Sequence, residues 1–138
     1  MKLIASFTSR SLLLVFAVLL SACASTYKAP GLPAGGDGAI AILEPEVFDR
    51  MAKFLVTKID GQNRGIGWFE RFELAPGRRE ITASVNSGVL MGANVTRFFT
   101  AEAGKRYVFV VRDDPVAKRW SFSIVEKVTG NRVDSSTR

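Results

Sequence analysis

Histidine is missing from this 138-residue chain, and cysteine occurs once, at Cys23. The first absence removes the side chain that most often serves as general base and as metal ligand near neutral pH. The second removes any intramolecular disulfide and any thiolate metal cluster, so stability has to come from packing. No Asp-x-Asp-x-Asp-Gly spacing is present either, which argues against a calcium loop. The apolar run at 11–20 (SLLLVFAVLL) has 10 residues, about half of what a membrane-spanning helix needs. These absences argue against catalysis and against any metal or other cofactor. What is present describes a folded domain: aromatics make up 10% of the residues and charged side chains 23%, too many charges for a multi-pass membrane protein.

The start of the chain carries the strongest pattern. Lys2 and Arg10 frame a positively charged beginning, and the 11–20 run has the length of an export-signal core. It ends in Leu20-Ser21-Ala22-Cys23, which resembles the bacterial lipobox: a branched apolar residue, two small residues and the obligatory cysteine. That resemblance implies that 1–22 is a removable signal peptide and that Cys23 receives diacylglycerol by thioether. A further acyl chain of the palmitate kind on the new amine usually follows. Two or three acyl chains hold a protein on a bilayer far better than one. Ala24, rather than Asp, follows the cysteine. By resemblance to lipoproteins of two-membrane bacteria, this implies the periplasmic side of the outer membrane.

Removing Lys2 and Arg10 leaves 17 cations against 13 anions, a mature formal charge of about +4. Such an excess suits acidic lipid or envelope polymers. Export excludes nucleic acid as a partner. The basic pairs Arg78-Arg79, Lys105-Arg106 and Lys118-Arg119 stand beside turns and strand ends, where a solvated surface accounts for them.

After Cys23, residues 23–37 read as a flexible tether, because 24–37 (ASTYKAPGLPAGGD) is rich in Pro and Gly and poor in apolar side chains. Its reach is roughly 20 Å. Gly35-Gly36-Asp37-Gly38 is not a phosphate loop, since no strand precedes it and no Lys-Ser/Thr follows. From 38 to 133 the chain alternates short β-branched and aromatic runs with turn signals, which predicts an all-β antiparallel two-sheet sandwich of about seven strands. A short helical turn is expected at 46–52 after Pro45, with Val47, Phe48 and Met51 inward. Strands are expected at 39–43, 54–59, 68–74, 80–85, 95–101, 107–111 and 120–124. In the fourth, Ile81, Ala83 and Val85 share one face; in the last, Trp120, Phe122 and Ile124 do. The unbroken run 107–111 (YVFVV) predicts a central strand covered on both sides. Residues 134–138 are expected to fray.

Several turn motifs resemble those of a family of small envelope domains. They are Thr57-Lys58-Ile59-Asp60-Gly61, then Phe72-Glu73-Leu74-Ala75-Pro76-Gly77, and then Phe98 to Tyr107 (FFTAEAGKRY). Together they are similar to the IDG hairpin, the L-x-PG turn and the xAExGKxY turn of PEGA-like and related lipoprotein domains, over about residues 38–128. Leu74-Ala75-Pro76-Gly77 stands where the name-giving tetrapeptide of that group occurs. The resemblance implies a sandwich without enzymatic activity and supplies no site residues.

Among candidate functional residues, Ser121 or Ser123 could in principle meet Lys105 or Lys118 as a Ser-Lys dyad, but neither serine sits on a strained elbow. Trp68, Trp120, Tyr107 and Phe98 either fill the core or form a stacking surface for a sugar. Phe98 lies between Thr96 and Thr100, on the face opposite Val95, Phe99 and Ala101. With Leu90 and Met91 from the apolar 89–93 segment it forms a candidate partner surface, unless a second layer covers it. The expected function is a lipid-anchored interaction or structural module of the cell envelope with an envelope protein as partner, the alternative being a glycan- or peptidoglycan-binding module.

Cys23→Ser is expected to leave the precursor unlipidated and unprocessed at this site. Acyl labelling and intact mass of the mature protein check it: a wild-type N-terminus at any other residue, without acyl mass, contradicts the lipobox reading.

Overall fold

The computed structural model describes residues 25–45, 53–65, 67, 69–86, 94–114, 116–117 and 119–136. Cys23, the expected helical turn at 46–52, Trp68, Leu90 and Met91 lie outside the described residues. The described chain forms nine strands and a single 3₁₀ turn (Gly36–Gly38), in two sheets. The strands are β1 (Thr26–Lys28), β2 (Ala41–Pro45), β3 (Lys53–Ile59), β4 (Gln62–Asn63), β5 (Arg71–Leu74), β6 (Gly77–Asn86), β7 (Val95–Ala101), β8 (Arg106–Asp114) and β9 (Arg119–Glu126). One sheet has the order β1-β5-β2-β8-β9 and the other β4-β3-β6-β7. The fold is an all-β two-sheet sandwich. It has two more strands than the sequence pattern indicated, and its larger sheet is mixed: β1 runs parallel to β5, and β2 parallel to β8.

Alternation places the core. Ala41, Leu43, Phe72, Leu74, Tyr107, Phe109, Phe122 and Ile124 point inward from the five-stranded sheet, and Val56, Ile59, Ile81, Ala83, Phe99 and Ala101 from the other. In β3 the period breaks between Val56 and Ile59, three residues apart, and a bulge absorbs the extra residue. Lys58 is thereby turned out to solvent. The turn after β3 has positive φ at both Asp60 (51°) and Gly61 (76°), the twist that a tight hairpin needs and that glycine adopts without strain. Rings then lock the layers together: Phe54 lies 4.6 Å from Phe109 and 5.5 Å from Phe122, and Phe99 meets Tyr107 edge-on at 5.1 Å. The Tyr107 hydroxyl accepts the Glu102 amide at 3.0 Å, and burial pushes its pKa above the ordinary tyrosine value.

Two turns that read as simple reversals are arches between layers. Pro76-Gly77 carries the chain from β5 in one sheet to β6 in the other, and Ala103-Gly104 carries it from β7 to β8. By contrast, β8 and β9 form an antiparallel hairpin, in which Asp114 Oδ1 accepts the Ala117 amide at 2.9 Å.

Three expectations need correcting. The tether is not wholly outside the core: Tyr27 packs on it, Ala29 is buried in it, and β1 pairs with β5 over Thr26–Lys28. Its polar composition concealed a short edge strand that needs only one apolar face. The tail is not wholly frayed, because Ser135 pairs with Phe98 in β7 and Val133 donates to the Ile124 carbonyl. Finally, the β8 run is not covered equally on both sides. Tyr107 and Phe109 face the core, whereas Val108, 8% exposed, and half-buried Val110 share the outer face. There Val108 is paired in register with Glu44 and Val125.

Val108→Asp is therefore expected to cost at least about 2 kcal/mol, because it buries an unpaired charge, and Val110→Asp about half of that or less. Urea unfolding of both variants measures the difference; equal losses would mean that Val110 is as enclosed as Val108.

Candidate functional site: an arginine and serine groove at the sheet seam

β7 and β9 are the edge strands on one side of the sandwich. Their unpaired backbone groups would invite pairing with another chain. The segment after β9 covers them. Its turn is closed by Gly130 donating to the Glu126 carbonyl at 2.8 Å. Arg132 then bridges to Val125 of β9, and Ser135 exchanges two backbone hydrogen bonds, each 2.9 Å, with Phe98 of β7. One short segment thus stitches the two sheets along their seam.

A buried carboxylate fixes this seam. Alternation places Arg97 on the same face of β7 as Val95 and Phe99, a position where a charged side chain cannot end in the core. Its stem runs along the edge instead. Nε donates to the Phe122 carbonyl at 2.8 Å and lies 3.3 Å from Asp134 Oδ2. Arg132 grips the same carboxylate as a fork, Nε to Oδ1 and Nη2 to Oδ2, both at 3.0 Å. The Ile124 amide donates to Oδ1 at 2.7 Å. The Asp134 side chain has no exposure to solvent even though the residue as a whole is partly open, since what water reaches is its backbone. Hydrogen bonding to Asp134, and then its charge, raise the pKa of Arg132 above the ordinary arginine value.

Above this clamp lies a groove of about 450 Å³. Alternation in β9 turns Ser121, Ser123 and Val125 toward it, opposite the core residues Trp120, Phe122 and Ile124. Arg112 of β8 stands in register with Ser121. Arg97 and Arg132 complete the wall. Arg112 is exposed, and among the described residues no carboxylate pairs with it. Three guanidiniums and two hydroxyls thus share a concave surface that, among the described residues, no carboxylate lines, with Asp134 buried beneath. The chemistry of such a surface suits an oxyanion, since guanidiniums only donate hydrogen bonds, serine hydroxyls can donate them, and Asp134 is already engaged by Arg97, Arg132 and the Ile124 amide.

The remaining candidates are placed as follows. Lys105 is engaged by Glu102 at 3.0 Å and Glu126 at 3.9 Å. It precedes Val110, the partner of Ser123, by five residues of β strand, about 16 Å at 3.3 Å per residue, so this half of the Ser-Lys idea is not assembled. Lys118, the other half, lies outside the described residues. Trp120 is half-buried, its ring 6.1 Å from Phe54 and 6.2 Å from Phe122. Tyr107 is in the core. Phe98 does face away from Val95 and Phe99. It is half-buried, with the Arg78 guanidinium 5.8 Å above its ring. Among the described residues no group of three or more acidic, cysteine or histidine side chains is placed to hold a metal, and no helix is long and apolar enough to cross a membrane. The groove itself was missed in the sequence. The available signal was Arg97, a charge on the inward face of an alternating strand, which demands a partner from elsewhere in the chain.

Comparison with known protein families, curated proteins and solved structures finds no match. The similarity to envelope domains therefore rests on the turn motifs alone.

Asp134→Asn should destabilise the protein by about 3 to 5 kcal/mol, since it strands Arg97 against the seam. Arg132→Ala should cost about 1 kcal/mol or less, because that side chain is 57% exposed and water replaces its contacts. Thermal or urea unfolding separates the two; similar losses would mean that the clamp resides in the exposed pair.

Proposed function

We propose that this chain is a non-catalytic interaction module, held by lipid on Cys23 to the periplasmic side of the outer membrane. The lipobox pattern supports the anchor, and the absence of histidine supports the lack of acid–base catalysis. The observation that carries the recognition role is the seam groove, a concavity in which arginine and serine donors gather above the buried Asp134. Phe98 contributes a second recognition feature on the outer face of the other sheet. An aromatic ring under an arginine is the kind of pairing that concentrates binding energy at protein interfaces. Trp120 packs its ring against the core, which speaks against its use as an open stacking platform for a sugar. A protein partner therefore fits the surface around Phe98 better than a glycan does.

Crosslinking in intact cells tests this reading. A photoreactive residue at position 98 is expected to trap a discrete envelope protein, whereas one at Val128, in the exposed turn after β9, is not. Phe98→Ala, in protein with unchanged melting, is expected to weaken wild-type crosslinking at least several-fold. An unchanged band removes Phe98 from the surface, and retention of the folded protein on purified peptidoglycan replaces this reading with glycan binding.

A further inference from the structure

Resting on the reading of the chain as a binding module, we propose that the seam groove is a phosphate site, taking a phosphomonoester or phosphodiester group through Arg112, Ser121, Ser123 and the outward N–H groups of Arg97 and Arg132. Charge is the first argument. Among the described residues, three guanidiniums line the groove against a single buried carboxylate, an excess of two positive charges. Elsewhere on the outer face of the five-stranded sheet the balance is different: there Arg71, Arg106 and Lys127 are matched by Asp37, Glu44 and Glu73, so little charge is left for a ligand.

The donors left over are the second argument. Asp134 takes Nε and Nη2 of Arg132. Arg97 spends Nε on Phe122 and Asp134 and directs Nη1 at the Thr96 carbonyl, 3.5 Å away. Among the described residues this leaves Nη2 of Arg97, Nη1 of Arg132, the whole guanidinium of Arg112 and both serine hydroxyls without a protein acceptor. Arg112 and Ser121 are directly opposed in register, which brings their Cβ atoms to about 5 Å, and Ser123 follows on the same face about 7 Å along the strand. Donors thus converge from β7, β8, β9 and the segment after it. A planar carboxylate uses two oxygens in one plane, and Asp134 already satisfies that demand for the Arg132 fork. A phosphate group presents its oxygens tetrahedrally and can accept from several directions at once.

Preorganisation and size complete the case. Asp134 holds Arg97 and Arg132 before any ligand arrives, so binding does not have to order them. A volume of about 450 Å³ accommodates a head-sized group but not a polymer chain lying along the sheet. Val125 adds an apolar side for the carbon substituent of an ester.

The test is calorimetric titration of the mature lipidated chain, in a neutral detergent, with inorganic phosphate. Saturable binding that weakens with salt is expected. Arg112→Ala should reduce affinity about tenfold or more, and Ser121→Ala with Ser123→Ala about threefold. Lys127→Ala, in the matched network, should leave it unchanged. Melting curves check that each variant is folded; if Arg112→Ala is not, Arg112→Lys keeps the charge, loses the fork and should show an intermediate loss. Detergent micelles doped with phosphatidic acid distinguish the source. Competition by the lipid that disappears in Arg112→Ala places the phosphate in a membrane headgroup, and binding of phosphate and glycerol phosphate without lipid competition places it on a free ligand. Equal or tighter binding of acetate or succinate overturns the proposal, as does phosphate binding indifferent to Arg112→Ala. Failure of phosphate to bind to protein that still crosslinks its partner ends this inference and leaves the module reading standing. Hydrolysis of a phosphate ester at the groove ends the module reading and leaves the site.

Discussion

An ionised carboxylate sealed from water persists in a folded chain only when protein donors replace its hydration, and Asp134 meets that condition with two arginines and a backbone amide. The donors come from different places. Arg97 belongs to the four-stranded sheet, the Ile124 amide to the five-stranded sheet, and Arg132 to the segment that runs between them. One side chain therefore ties both layers together at the edge where they would otherwise gape. The same contacts aim Arg97 and Arg132 at the groove. Asp134 thus serves the stability of the seam and the aim of two of the groove's arginines at once.

Behind the seam the sandwich relies on packing, since no disulfide is available to it. The rings of Phe54, Phe109, Phe122 and Trp120 meet across the two layers, and Phe99 meets Tyr107 near the arch after β7. Edge-on and tilted contacts of this kind contribute about 0.5 to 1.5 kcal/mol each beyond the area they bury. The arches matter as much as the rings. Because the chain changes sheet at Pro76-Gly77 and at Ala103-Gly104, strands adjacent in sequence face each other across the core instead of lying side by side.

Local alternation made much of this legible. β7 occurs at the residues its pattern marks, and the inward faces of β6 and β9 follow directly from Ile81, Ala83 and Val85 and from Trp120, Phe122 and Ile124. Strand partners were not legible, because a period of two says which face is buried and nothing about which edge is paired. That is why the parallel pairing of β2 with β8 escaped notice, and why the two arches looked like plain reversals. β1 and the seam segment escaped for another reason. Each is short and polar and gains its place from backbone pairing to an edge that already exists, so composition marks them as linker and tail. The groove inherits that blindness: Asp134 and Arg132 sit in the stretch that looked expendable, and Arg97 was readable only as an anomaly.

The early start of β1 has a mechanical meaning. Thr26 is three residues past Cys23, and three residues of fully extended chain span no more than about 11 Å. Acyl chains on Cys23 would consequently act as a short mooring instead of a long leash. The edge of the sandwich carrying β1 would be berthed close to the headgroups, with β9 and its seam at the opposite edge of that sheet.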